Sequence, residues 1–218
     1  MARPKKGLSN DSTTVLTEPD IETRQRILKA ATDQLIAKGY KGMSMREVAE
    51  AVEVTPAALY YHYPSKDDIF VDVMRSIFTE WAKGVKQVTA DIHNIREKLL
   101  KLTMYYLNRK DSGMVMLMRD VRIYLETEKQ EEIWKHYGET YQKEVNQVFQ
   151  YGIDTSQLSQ NIPTHLLSTM YMGMINHFLF NPHTRAGLTD PVEAERIAML
   201  VVSVLLDGIR QRIRLTED

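Results

Sequence analysis

The sequence predicts an all-helical chain, and three observations carry that reading. Apolar residues recur at three- and four-residue spacing from Ile27 to Ile209, and no stretch alternates with period two for long enough to make a strand. Helix-start residues (Ser44, Thr55, Ser65, Asn94 and Asp190) each precede one of these periodic segments, where a side-chain oxygen can accept from the free N–H groups of the first turn. Two of those starts, Ser44 and Thr55, lie so close together that only two short helices and a tight turn fit between Ser44 and Pro64.

Composition bounds the rest. The 218 residues allow one or two domains and a sizeable core. The formal net charge of −1 excludes a globally basic nucleic-acid binder, so any affinity for DNA must come from a local patch. With no cysteine there is neither a disulfide framework nor thiolate chemistry. The polar N-terminus is unlike a secretory signal, and the longest apolar run, Ile197 to Leu206, is broken by Ser203 and too short to span a bilayer. A cytoplasmic setting is expected, which makes the glycosylation-type triplet at Asn10 accidental.

In chain order, residues 1–20 read as a disordered tail. Its basic cluster Arg3 to Gly7 is either an arm toward phosphate or the minor groove, or a solvated terminus. A first helix is expected from Ile21 to Lys38, on a stripe of Ile27, Leu28, Ala31, Leu35 and Ile36, with Gly39 at the position that ends it. Tyr40 and Met43 should pack beneath the next helix. Ser44 with Glu47 makes a capping box for the second helix, whose apolar face is Val48, Ala49 and Val52. Thr55 caps the third, with Pro56 at its first position and Leu59 as its anchor; Pro64 ends it. Ser65 caps a long fourth helix to about Asp91, with Asp67 and Asp68 suiting its first turn and Ile69, Phe70, Val73, Ile77, Trp81, Val85 and Val88 its apolar positions.

Further helices follow from Asn94 to about Asn108, after the Asp111 to Gly113 turn, from Thr127 to near Gly152, from Pro163 to Phe180 and from Pro191 to about Arg212. The helix opened by Thr127 carries Ile133, Tyr137, Tyr141, Val145 and Phe149. The last helix has one stripe of Ala194, Ile197, Ala198, Val201, Leu205 and Ile209 and a second apolar face of Met199, Leu200, Val204 and Leu206. A helix apolar on two sides must be buried on two sides, against its own domain and against a partner.

At Ile27 to Ala31, Gly39 and Tyr40, Arg46 to Ala49, and Leu59 to Tyr63 followed by Ser65 and Lys66, the chain resembles the TetR family of one-component bacterial transcriptional regulators. The resemblance spans about Glu22 to Asp72. It departs at Glu53, where the family usually has glycine in the interhelical turn. What it implies is a helix-turn-helix DNA-binding domain over 21–66 and a helical ligand-binding and dimerisation domain over 67–218, about nine helices in all. The implied partners are double-stranded operator DNA, an apolar small-molecule effector and a second copy of the chain, joined through a four-helix bundle.

Carried over residue by residue, the DNA-binding candidates are Ser44, Arg46, Thr55, Pro56, Ala57, Ala58, Tyr60, Tyr61, His62 and Lys66. Arg46 can grip guanine bidentately or neutralise a phosphate, Pro56 and the alanines suit thymine methyl groups, and Lys66 at a helix N-terminus suits a phosphate. The ligand candidates are Trp81, Met104, Tyr105, Met114, Met118, Tyr124, Trp134, Tyr137, Met170, Met174, Asn176, His177 and Phe178, with Arg119 and Arg122 as further polar candidates. The 12 methionines suit an adaptable apolar cavity or an ordinary core. Leu167, Tyr171, Met199, Leu200, Val204 and Leu206 are expected at the dimer interface.

Metal and enzyme readings find little support. His165 and His177 lie twelve apart with His183 beyond them, and no i, i+4 histidine pair exists. There is no nucleophile elbow, phosphate loop or dinucleotide fingerprint, and no cofactor or catalytic residue is expected. A ligand-responsive repressor leads. A ligandless regulator, and an all-helical enzyme or lipid carrier, are the alternatives.

Overall fold

The computed structural model describes residues 18–108, 114–181, 184, 188 and 190–211. The basic cluster at Arg3 to Gly7, the Asp111 to Gly113 turn, His183 and the end at Arg212 lie outside them. The described residues are mostly helical, with no strand among them. The elements are α1 (Glu18–Gly42), α2 (Met45–Ala51), α3 (Pro56–His62), α4 (Lys66–Thr89), α5 (Ile95–Leu107), α6 (Met114–Tyr124), α7 (Thr127–Tyr137), a π-helical turn (Gly138–Gln142), α8 (Lys143–Asp154), α9 (Thr164–Phe180) and α10 (Pro191–Gln211).

The caps form where the sequence places them. Ser44, Thr55, Ser65 and Asn94 each accept from the backbone N–H three residues on, at 3.4, 3.1, 3.2 and 3.2 Å, and Asp190 accepts from Val192 at 3.0 Å. The capping box at Ser44 is only half made. The Ser44 N–H donates to the Gln34 side chain at 3.2 Å, while Glu47 turns away to pair with Lys38 at 2.7 Å. The α7–π–α8 run is one rod where a plain helix was expected.

The turn between α2 and α3 closes as a Schellman motif: Glu53 N–H donates to Glu50 C=O at 3.2 Å and Val54 N–H to Ala49 C=O at 3.0 Å. This motif needs a left-handed residue after the cap, and Glu53 supplies it with φ 58°. Arg26 of α1 braces the same turn by donating to the Val52 carbonyl at 3.1 Å.

One continuous core runs from Ile27 in α1 to Leu206 in α10. Its axis is α4, which packs against α1, α5, α7, the π turn and α8, and buries Ile69, Phe70, Val71, Val73, Met74, Phe78, Ala82 and Val85. Lys98 of α5 closes the far end of α4 by donating to the Thr89 carbonyl, its stem buried and its ammonium 4.7 Å from the Tyr151 ring centre. At the other end of the core α10 lies on α5 and α9.

α1 starts at Glu18 and passes its expected end. Gly39 leaves the helical region (φ 69°, ψ −179°), yet the chain resumes to Gly42. Tyr40 therefore turns toward α4 and α6 instead of lying beneath α2, where only Met43 is buried.

A left-handed glutamate costs roughly 1–2 kcal/mol relative to glycine, partly offset by the entropy glycine loses on folding. Glu53→Gly is expected to raise stability by about 1 kcal/mol, read as a higher urea midpoint at unchanged slope. A lower midpoint would mean that the glutamate side chain contributes more than its backbone costs.

Candidate functional site

Helix α3 is held by its inner face and bare on its outer one. Leu59 and Tyr63 are buried; the Tyr63 hydroxyl donates to Asp72 of α4 at 3.2 Å, and Arg24 of α1 stacks on the Tyr63 ring at 4.7 Å and pairs with Asp72 at 2.5 Å. Burial and the Asp72 carboxylate push the Tyr63 phenol well above its ordinary range. Thus clamped, α3 leaves Tyr60 and Tyr61 50% and 63% exposed, with Thr55, Pro56 and Ala57 exposed beside them and Ala58 and His62 half-buried. Two large aromatic side chains in water on a seven-residue helix present a surface suited to a partner rather than to the fold.

Arg46 is exposed at the start of α2 and reaches Glu50 at 2.8 Å across one turn. Exposed pairs of this kind are weak, so the guanidinium can readily exchange its partner. Ser44 keeps its hydroxyl on its own helix end. Lys66 has an inward use that the sequence did not disclose. Its ammonium donates to the Met43 carbonyl at 2.7 Å and lies 4.5 Å over the Tyr40 ring, and burial lowers its pKa. A phosphate can reach only the donors that remain.

Helices α1 to α3 meet the rest of the chain at Tyr40. A Cβ on Gly39 would stand 2.9 Å from Asp120 Oδ2, and the close approach that glycine permits lets this α6 carboxylate accept the Tyr40 N–H at 2.8 Å. Asp120 is buried and takes Arg119 on its other oxygen at 3.0 Å. The Tyr40 hydroxyl donates to Asp67 at the start of α4, and its ring stacks on Tyr124 of α6 at 5.1 Å and tilts against Phe70 at 5.4 Å. Lys129 of α7 grips Asp68 at 2.5 Å, and this bond with that from Ser65 holds the Asp68 carboxyl below its usual range. Arg75 pairs with Glu132 at 3.0 Å, and His136 Nε2 lies 3.1 Å from the Thr79 hydroxyl. α4 is thus tied to α1 and α7 by charged as well as apolar contacts, and to α6 through Tyr40.

Behind α4 the interior is aromatic. Phe78 meets Trp81 and Tyr137 at 5.8 and 5.1 Å, Tyr141 meets Trp81 and Tyr137 at 5.3 and 5.4 Å, and Tyr106 meets Tyr141 and Tyr171 at 6.1 and 6.4 Å. Of the expected ligand residues, Trp81, Met104, Tyr105, Met118, Trp134, Tyr137, Met174 and Phe178 pack half-buried on the core, Met114 is buried, and Asn176 is half-buried. Tyr124 lies at the Tyr40 junction. Met170, 57% exposed, and His177, also exposed, point away from the interior because α9 turns that face outward. Arg119 serves Asp120, and Arg122 lies 6.0 Å over Trp134. Phe78, Tyr106, Tyr141 and Phe149, absent from the expected set, build the cluster.

The expected dimer residues divide. Met199, Leu200 and Val204 are exposed on α10, as are Leu166 and Met170 on α9. Leu167, Tyr171 and Leu206 are instead buried within the chain: the first two face α5 and α8, and Leu206 shares the inward face of Val202 and Leu205. They cannot meet a partner directly. Among the described residues there is no cluster of three metal-ligating side chains, and no helix is long and apolar enough to cross a membrane.

Residues 27–73, which span most of α1 through the first part of α4, match the family model of bacterial regulatory proteins, tetR family. The nucleoid occlusion factor SlmA of Pasteurella multocida is 32% identical over 105 residues, 44% of this chain and 50% of that protein, so the chain spans about half the length of this relative. Two solved structures share the fold over nearly their whole length. The fatty acid degradation regulator FadR from Bacillus halodurans superposes with a TM-score of 0.69 at 18% identity, covering 87% of this chain and 97% of that one. AibR in complex with isovaleryl coenzyme A and operator DNA superposes with a TM-score of 0.60 at 22% identity, covering 84% and 98%. Residues 27–73 thus form a helix-turn-helix of the tetR type, and the described helices beyond them share the fold of these solved structures.

Proposed function

We propose that the chain is a ligand-responsive, DNA-binding transcriptional regulator, a repressor rather than an enzyme, that leaves a pseudo-palindromic operator when an apolar small molecule binds. The observation that carries this reading is the two-faced α3. Its inner side is locked to α1 and α4 by Tyr63, Arg24 and Asp72, and its outer side leaves Tyr60, Tyr61, Pro56 and Ala57 exposed. A helix so presented suits the major groove. Arg46 and the free end of α2 then flank it, with Ser44, Thr55, Ala58, His62 and the remaining donors of Lys66 at the phosphates. That the solved AibR complex holds both an acyl thioester and operator DNA supports the same division of labour here.

The exposed residues Met199, Leu200, Val204, Leu166 and Met170 are the dimer face in this reading, which sets two copies of α3 toward successive grooves. Residues 21–66 act as the DNA-binding unit and 67–218 as the effector and dimerisation unit, in the cytoplasm. Effector bound among the rings behind α4 acts through the ties at Asp68, Phe70 and Tyr40. A coupling of about 1–3 kcal/mol suffices for a 5- to 150-fold change in DNA affinity.

Four measurements test this function. Log affinity for operator DNA should fall with log salt at about −0.9 per neutralised phosphate. Arg46→Ala should cost about 1–3 kcal/mol of binding with altered sequence preference if the guanidinium reads a base, whereas unchanged affinity removes Arg46 from the interface. Val204→Glu should split the dimer, because association would bury an unpaired carboxylate. Sedimentation decides this, and a wild-type chain that runs as a monomer defeats these residues as an interface. Phe70→Ala should change the factor by which effector and DNA weaken each other's binding, equally in both directions, while effector affinity without DNA changes little. Because truncating Phe70 costs about 3–5 kcal/mol of stability, melting curves must show the variant folded. An unchanged factor in a folded variant would move the switch away from this contact.

A further inference from the structure

The aromatic interior contains one polar atom out of keeping with its surroundings. Tyr106 is 2% exposed, and its hydroxyl meets no hydrogen-bond partner, although nearly all buried polar atoms in folded proteins have one. The neighbouring hydroxyls are already committed. Thr103 spends its proton on the Leu99 carbonyl at 2.6 Å, so Tyr171 must be the donor in their 2.9 Å contact. Tyr137 donates to Gln142 Oε1 at 2.9 Å, and the Gln142 amide passes on to Ser168 and Asn146 at 2.9 and 3.2 Å. Tyr141 points to the Met172 sulfur at 3.9 Å, a weak acceptor. Burial above all raises the Tyr106 pKa well above the ordinary value, and the neighbouring phenols of Tyr141, Tyr171 and Tyr137, Tyr141 foremost, add to it. The group stays protonated and offers a donor.

Resting on the regulator reading above, we propose that the Tyr106 hydroxyl anchors the carbonyl oxygen of an uncharged aryl effector lodged among Tyr137, Tyr141 and Trp81. The charges nearby define the class. The charged side chains buried among the described residues are Lys98, Asp120 and Glu144. Lys98 serves Thr89, Asp120 serves Tyr40 and Arg119, and Glu144 is paired with Lys86 at 3.2 Å. None is left to neutralise an anionic or a cationic ligand. The wall can also yield. Tyr141 sits in the π turn, a local departure from α geometry that recurs at functional sites. Exposed Gly138 opens that turn with no other atom near its Cβ position, and the Met172 thioether is flexible enough to repack around a guest.

Four phenyl compounds of similar size separate the possibilities by calorimetric titration of the full chain: acetophenone, isopropylbenzene, trimethylphenylammonium and benzoate. Acetophenone is expected to bind about tenfold tighter than isopropylbenzene, the worth of one buried hydrogen bond, and tighter than either ion. Tyr106→Phe should erase the ketone's advantage, leave isopropylbenzene unaffected, and melt no lower than wild type, because it removes an unpaired buried hydroxyl. Equal binding of ketone and hydrocarbon, preference for either ion, no binding of acetophenone, or a Tyr106→Phe chain that melts lower would each overturn the proposal. If wild type still binds operator DNA in those cases, the regulator reading stands without this effector class. Ketone-selective binding by a chain with no affinity for DNA would keep the site and sink the regulator reading.

Discussion

The whole structure depends on burying α4 from several sides at once. Ile69, Phe70 and Val73 at its start have no exposure, and neither do Met74 and Phe78 a turn or two later. The helices around this part of α4 belong both to the helix-turn-helix end and to the aromatic interior. Close-packed interiors yield by discrete repacking rather than by gradual deformation. A guest behind Phe78 therefore cannot be accommodated by α4 alone, and α1, α6 and α7 must register its presence. The ion pairs at Asp68, Asp72 and Arg75 add direction to an otherwise non-directional apolar contact.

Helix starts were legible in the sequence because capping is local: an oxygen three residues before an N–H needs no knowledge of the rest of the chain. The departure at Glu53 was legible for the same reason, since a turn of that length requires a left-handed residue whatever the fold. The π turn was written in the sequence less plainly. Ile133, Tyr137, Tyr141, Val145 and Phe149 recur at strict four-residue steps, and in an α-helix each such step overshoots a full turn by about 40°. Over four steps the stripe would drift almost to the opposite face, yet all but half-buried Tyr137 are buried. One wide turn takes up the drift.

Which face of an apolar helix looks inward was not legible. Sequence alone makes Leu206 and Val204 equivalent, and only the packing of α10 on α5 and α9 buries one and exposes the other. Met170 and Tyr171 part in the same way on α9. The interior site was half legible: Trp81 and Tyr137 were expected there, but Tyr106 and Tyr141 look like ordinary core tyrosines until a hydroxyl is found without a partner. Lys66 shows a different limit. Its place at a helix N-terminus suggests a phosphate, and the long-range contacts to Met43 and Tyr40 cannot be read from spacing.

The backbone bond from Tyr40 to Asp120 makes one amide proton a gauge of the joint between α1 and α6. Within a helix, an amide is normally shielded by the carbonyl four residues earlier, and its exchange with solvent deuterium reports fraying of that helix. At Tyr40 the shield is a side chain eighty positions further along the chain, on another helix. Exchange there is governed by how often α6 lifts away, whatever the state of α1. A single resonance thus follows the contact between α1 and the helices beyond the helix-turn-helix.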